Sequence, residues 1–216
     1  MIEEMSAFFA ARVEGYDEHM LNDVVGCREG YARLAQALPA DARDVLDLGC
    51  GTGLELDALF ARFPDLRVTG IDMTEEMLRA LREKHPDKAL RLIRGDYFAC
   101  DFGREAFDAV VSFESLHHFP RAQKLGLYRR IFAALRPGGA FCNGDYMVET
   151  EEEEEALARE AARLRAEARV PEGVFVHLDT PLAIAAEEAL LRQAGFANVE
   201  RLLREGNTTL LRAERD

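Results

Sequence analysis

Nine residues, Val45-Leu46-Asp47-Leu48-Gly49-Cys50-Gly51-Thr52-Gly53, constrain this chain more than any other stretch. The run Asp44 to Leu48 has the character of a buried strand and ends in three alternating glycines. A helical pattern follows at once, with Leu56, Leu59, Phe60 and Phe63 at spacings of three and four before Pro64. Strand, glycine loop and helix in that order bring bare backbone up to a ligand, because glycine has no Cβ and accepts positive φ. The spacing is G-x-G-x-G with Leu54 next, so the dinucleotide pattern G-x-G-x-x-G is not met and a nicotinamide-dependent dehydrogenase is disfavoured.

The same alternation continues downstream. Leu66 to Asp72 reads as a strand closing on Gly70-Ile71-Asp72, a carboxylate at a strand end, where nucleotide-binding folds take up ribose hydroxyls. Thr74 is placed to N-cap the next helix, with Glu75 and Glu76 in its first turn and Met77, Leu78 and Leu81 on its apolar face, ending near His85-Pro86. Leu90 to Gly95 and Phe107 to Phe113 are strands, the second almost continuously apolar, as in a central parallel strand. Leu125, Tyr128, Ile131, Phe132 and Leu135 mark a helix closed by Arg136-Pro137-Gly138-Gly139, and Ala140 to Met147 is a fifth strand. Pro181 to Ala194 is helical with Gly195 as C-cap. Val199 to Leu203 and Thr208 to Leu211 flank the turn Glu205-Gly206-Asn207 as an antiparallel pair.

Charge and cysteine usage exclude several function classes. With 27 basic against 40 acidic residues the net charge is −13, which repels a phosphate backbone, and no basic stripe offsets it; nucleic acid is not an expected partner. The four cysteines, Cys27, Cys50, Cys100 and Cys142, form no CxxC pair, so no metal site and no disulfide framework is expected. The acidic start lacks a signal-peptide pattern and no apolar run approaches the roughly 20 residues of a membrane span, so a cytoplasmic location with no membrane partner is expected.

Five pieces in order, DVLDLGCGTG, VTGIDMTEEML, LIRGDYF, FDAVVSFESLHHF and LRPGGAF, followed by AGFANVE and NTTLLRAER, resemble the class I S-adenosylmethionine-dependent methyltransferases of the small methyltransferase-domain type. The likeness covers about three quarters of the chain. It implies an α/β fold: a Rossmann-like, seven-stranded, mostly parallel sheet with an antiparallel C-terminal hairpin, helices on both faces and helical cap segments. It implies a single domain over 1–216, divided into an N-terminal helical cap (1–40), a cofactor-binding core (41–148), a lid or insert helix (149–175) and a C-terminal helix and hairpin (176–216). The implied cofactor is S-adenosyl-L-methionine, leaving S-adenosyl-L-homocysteine, with a small molecule as methyl acceptor. Members of the family also pair through exposed surfaces, so a homodimer stays open.

Family roles carry over residue by residue. Asp47, Gly49, Gly51 and Gly53 match the loop that holds the methionine part and ribose. Asp72 matches the acid that binds both ribose hydroxyls, and Met73 the apolar residue against the adenine. Asp96, with the Tyr97 backbone, matches the group that meets the adenine amine, with a turn cap as the lesser alternative for Asp96. Ser112 stands where the backbone meets the methionine amino group, and Tyr16 resembles a tyrosine folded over the cofactor. The acceptor side is less determined. Glu114, His117 and His118 follow the fourth strand; adjacent residues cannot share a face, so at most one histidine is expected in the cleft: His117 is the candidate catalytic, acceptor-facing residue, with a structural role in supporting the loop as the alternative, and His118 packs with Phe119 and Pro120. His19, Tyr146 and His177 are further candidates for the acceptor wall. Residues 149–173 read as a helix with a solvated glutamate start, Glu149 and Glu151 to Glu155, an arginine-rich end, and a stripe of Leu157, Ala161, Leu164 and Ala168 that can cover a cleft. The alternative to an enzyme is a cofactor-binding regulatory or catalytically silent protein on the same fold.

Overall fold

The computed structural model describes residues 2–216. Seven strands form one sheet in the order β3-β2-β1-β4-β5-β7-β6. They are β1 (Asp44–Leu48), β2 (Arg67–Asp72), β3 (Ala89–Arg94), β4 (Phe107–Phe113), β5 (Leu135–Tyr146), β6 (Ala197–Glu205) and β7 (Thr208–Glu214). The first five run parallel, and β7 lies antiparallel between β5 and β6.

Alternation along each strand sorts the core into two halves. Leu46, Leu48, Val110 and Phe141 pack with α6 (Arg121–Ala134) and α8 (Ile184–Ala194). Val45, Val68, Ala109, Val111 and Cys142 pack with α3 (Cys27–Ala37), α4 (Leu54–Arg62) and α5 (Glu75–Lys84). A period of two thus places successive residues of β1 and β4 on opposite faces, both apolar, which is why these strands read as unbroken hydrophobic runs. Chain order reverses between β1 and β4, so a crevice opens beyond their carboxyl ends.

The lead-in is three short helices: α1 (Met5–Ala10), α2 (Tyr16–Asn22) and α3. The strand following α6 begins at Leu135, earlier than the helical spacing suggests, since Leu135 already pairs with Phe107 before the register shifts. The C-terminal helix begins at Ile184, because the preceding backbone first forms a bridge from Ala183 to Val148. Thr74 occupies the N-cap of α5, but its hydroxyl makes no cap; its N–H donates to Asp72 Oδ1 at 2.8 Å.

The insert helix α7 (Glu151–Glu167) starts with a capping box, in which Glu153 N donates to Thr150 Oγ1 and Thr150 N donates to the Glu153 carboxylate. The glutamate run is not uniformly solvated. Glu154 is mostly covered, accepting from Arg121 and from the Ala183 N–H at 2.8 Å, and it pins α7 to the starts of α6 and α8. At the other edge of the molecule, the Thr208 hydroxyl at the start of β7 lies 2.8 Å from the Val25 carbonyl and 2.9 Å from Glu114 Oε1. That contact ties the last strand to the lead-in and to the loop after β4.

Candidate functional site

The crevice beyond β1 and β4 holds a narrow cavity. Its floor is the loop between β1 and α4, where Gly49 and Gly51 take φ of +76° and +46°. A Cβ on Gly49 would stand 2.1 Å from Ser115 Oγ, so only glycine lets the loop lie against the segment after β4. Asp72 and Met73 close the end of β2, Met77 of α5 lies beside them, and Gly95, Asp96 and Tyr97 follow β3. Glu114, Ser115, His118 and Phe119 come from the turn after β4, and Met5, Phe9, Tyr16 and Phe175 roof the space.

The two acids at the strand ends are held in place and keep acceptor capacity. Asp72 Oδ2 accepts from Gly51 N at 3.0 Å and Oδ1 from Thr74 N at 2.8 Å. Each carboxylate oxygen has two lone pairs, so both oxygens can accept again. Burial raises the Asp72 pKa against the opposing pull of those N–H groups. Asp96 Oδ1 accepts from Phe98 N at 2.8 Å, the turn-capping contact, and Asp96 also lines the cavity. Tyr97 is buried, with its hydroxyl 3.0 Å from Ser115 Oγ.

Tyr16 lies over the glycine loop, its Cε1 4.0 Å from where a Gly51 Cβ would be. It is latched there by its neighbour Asp17, whose carboxylate takes hydrogen bonds from the Thr52 hydroxyl and the Lys84 ammonium. Of the residues that the sequence assigns to the cofactor, Tyr16, Gly49, Gly51, Asp72, Met73, Asp96 and Tyr97 line this cavity. Asp47, Gly53 and Ser112 are not among its lining residues, and each has a local physical reason. Asp47 is fully buried, its carboxyl against that of Glu55, and burial followed by the Glu55 charge pushes its pKa well up. Gly53 caps α4 at φ +77°, and a Cβ there would stand 2.3 Å from Leu81 Cδ1. The Ser112 hydroxyl donates to the Leu48 carbonyl at 2.9 Å, joining β4 to β1.

A second cavity, about 590 Å³, shares Phe9, Tyr16, Glu114 and His118 with the first. His117, His118, Tyr146, His177, Asp179 and His19 line it. The expectation that only one of the paired histidines faces a cleft is overturned. Leu116 to His118 form a single 3-10 turn, which brings the two imidazole centroids to 4.0 Å and presents both rings to this space. His117 Nδ1 lies 2.7 Å from Asp145 Oδ1. Burial pulls the His117 pKa down, but Asp145, then Glu114 and Asp179, outweigh it and raise it to about 8. His118 is held down at about 4 by burial and the charge of His117. Glu114, at φ +47°, is raised to about 7 by burial, with His117 opposing. Asp179 is held at about 2 because His118 and His117 outweigh its desolvation.

Sequence reasoning missed Asp145, Asp179, Met5 and Phe175. The first left a signal: Asn143 and Asp145 are polar residues at alternate positions in an otherwise apolar central strand, and a charged group there must serve a partner. Asp179 sits in irregular chain between α7 and α8, where no periodicity reports on position.

Residues 45–139 match a family described as a methyltransferase domain. Cycloartenol-C-24-methyltransferase of Arabidopsis thaliana is 31% identical over 157 residues, which are 70% of this chain and 44% of that protein. Trans-aconitate 2-methyltransferase of Rhizobium meliloti is 39% identical over 108 residues, 49% of this chain and 39% of that protein. The chain therefore spans less than half the length of these curated relatives. The crystal structure of human N-acetylserotonin methyltransferase in complex with SAM superposes with a TM-score of 0.68 at 15% identity, covering 97% of this chain and 56% of that one.

Proposed function

We propose that this chain moves a methyl group from S-adenosylmethionine to a small-molecule acceptor, because residues 45–139 match a methyltransferase-domain family and the sheet has the strand order to go with it. The observation that carries the reading is the junction of two cavities: one lined by strand-end acids with spare acceptor oxygens, the other by polar and aromatic side chains, meeting at Phe9, Tyr16, Glu114 and His118. The donor set fits the cofactor. Asp72 offers both oxygens to a ribose diol, Met73 an apolar surface to adenine, and Asp96 with the Tyr97 backbone the acceptor and donor that the adenine edge needs. Gly49 and Gly51 let the methionine part lie against backbone, and Asp47, Gly53 and Ser112 hold that loop in shape from behind.

When bound, the sulfonium supplies an electrophilic methyl group. The chain contributes position: Tyr16 and the Asp17 latch close over the cofactor, and the rim shared by the two cavities brings acceptor and methyl donor into one space, where alignment is the main source of rate. His117, fixed by Asp145, presents its free ring edge to the acceptor. The four cysteines are all free thiols, which supports a reducing compartment such as the cytoplasm; among the described residues no helix is long and apolar enough to cross a membrane. The net charge of −13 supports a small molecule over nucleic acid as acceptor.

The test is thermal unfolding with and without S-adenosylhomocysteine. A ligand that binds only the native state at about 100 times its dissociation constant stabilises by about 2.7 kcal/mol, a rise of several degrees. Absence of any rise at millimolar ligand overturns the reading. Once binding is established, His117→Ala is expected to lower turnover of an identified acceptor while leaving the S-adenosylhomocysteine shift in place.

A further inference from the structure

Three potential ligand atoms converge on the wall of the second cavity. His118 Nδ1 lies 3.2 Å from Asp179 Oδ1, and His117 Nε2 lies 3.6 Å from the same oxygen. All three atoms fall within 4.8 Å of one another. The His118–Asp179 contact is an ion-pair approach at 3.2 Å that falls short of an aligned hydrogen bond, at a nitrogen in a residue only 8% exposed. A buried imidazole nitrogen left without a partner is a costly arrangement that asks for an explanation. Atoms that stand close yet point past one another share a focus rather than a bond.

The spacings suit a metal ion at that focus. Ligands about 2.1 Å from a tetrahedral ion stand about 3.4 Å apart, and adjacent octahedral ones about 3.0 Å; the observed 3.2 and 3.6 Å bracket the tetrahedral value. The other nitrogen of His117 supplies an independent observation. Its Nδ1 is 2.7 Å from Asp145 Oδ1, and Asp145 is fully buried. A carboxylate behind an imidazole holds the proton on the rear nitrogen, aims the front lone pair and raises its basicity, the usual outer support of a metal-bound histidine. Glu114 Oε2, 3.7 Å from the same Nδ1, adds a further negative charge nearby. Two imidazoles and one carboxylate leave coordination positions open toward the cavity, and this donor set suits a divalent first-row ion over magnesium or calcium.

We propose that His117 Nε2, His118 Nδ1 and Asp179 bind a divalent transition-metal ion of the zinc or cobalt kind, and that the open positions of the ion hold an oxygen of the methyl acceptor. The metal site stands on the geometry alone; its role in seating the acceptor rests on the methyltransferase reading. The acceptor class that follows is a molecule with a hydroxyl or carboxylate able to coordinate the ion. The nonpolar remainder would lie along Phe8, Phe9 and Tyr146.

The experiment is a titration of untagged, metal-free protein with Co²⁺, followed by visible absorption, with Zn²⁺ added afterwards as competitor. The expected result is saturable visible bands that Zn²⁺ abolishes. Asp179→Asn and His118→Gln should each weaken Co²⁺ binding by at least about tenfold, and His19→Ala, on the same cavity wall outside the triad, should leave it unchanged. Asp179 is solvent-exposed, so its variant is expected to fold, and a thermal shift with S-adenosylhomocysteine checks the fold of each protein. No saturable bands in the wild type, or bands that survive Asp179→Asn, overturn the proposal. A retained S-adenosylhomocysteine shift without Co²⁺ binding sinks the metal site and spares the methyltransferase reading; Co²⁺ binding without that shift does the reverse.

Discussion

Glu55 and Asp47 press two carboxyl groups together beneath the glycine loop, both out of water. Burial raises Glu55 to about 7, with the hydrogen bond to Asp47 and the charge of Lys84 pulling the other way. An acid whose pKa is higher folded than unfolded adds stability that is complete below its unfolded pKa and is lost as pH climbs through the folded one. For Glu55 that window runs from about 4.5 to about 7. Glu55→Gln, which cannot ionise, should therefore melt a few degrees above the wild type at pH 8 and lose that advantage toward pH 5. Melting curves across this range check it; a gap independent of pH would mean the pair is not the source. Asp72 plays a different part, presenting a charge to the crevice. Asp72→Ala is expected to weaken S-adenosylhomocysteine binding by about 1–3 kcal/mol through lost charge-assisted hydrogen bonds, read by calorimetry.

At the scale of elements, the roof over the crevice depends on side chains that reach across from neighbouring helices. Asp17 joins α2 to the glycine loop through Thr52 and to α5 through Lys84. A part-exposed pair of this kind is worth about 0.5–1 kcal/mol. Asp17→Ala should thus speed S-adenosylhomocysteine release by roughly twofold to fivefold and quicken hydrogen exchange over residues 16–22, while β1 and β4 exchange as before. Thr150→Ala removes the α7 capping box at a cost of about 1 kcal/mol, visible as faster exchange over residues 151–155 with little change in the global melting point. How far these elements could be read in advance depended on the forces that make them. Strands β1 and β4 follow from apolar runs bounded by glycine or polar turns, and their spans agree with the sequence reading at both ends. Leu135 fits the α6 stripe by spacing yet starts β5, because its backbone pairs with Phe107, a partner remote in sequence. Glu154 looked solvated within a glutamate run, and only the fold brings Arg121 and Ala183 to it.

Across the whole molecule, the crevice exists because the sheet grows outward in two directions from β1 and β4, each with its own layer of helices. That plan was legible, since alternating strand and helix patterns with a glycine turn after the first strand leave few topologies open. The lining of the first cavity was legible for the same reason: Asp72 closes β2 and Asp96 follows β3, where position follows from order. The second cavity was not, because its wall draws His117 braced by Asp145 of β5, Asp179 from irregular chain and His177 stacked on Phe8 from α1, and no local pattern reports such a meeting. The contact of Thr208 with Val25 and Glu114 has a consequence in time. A ribosome delivers β7 after the other six strands, and this strand slots between β5 and β6 while fastening the lead-in beside Glu114. Until it emerges, the two cavities lack the tie that holds their shared rim, so a nascent chain can form its glycine loop and central strands long before it can hold a substrate. Ligand binding by this protein should switch on only after the hairpin has emerged and in one step, with its arrival as the trigger.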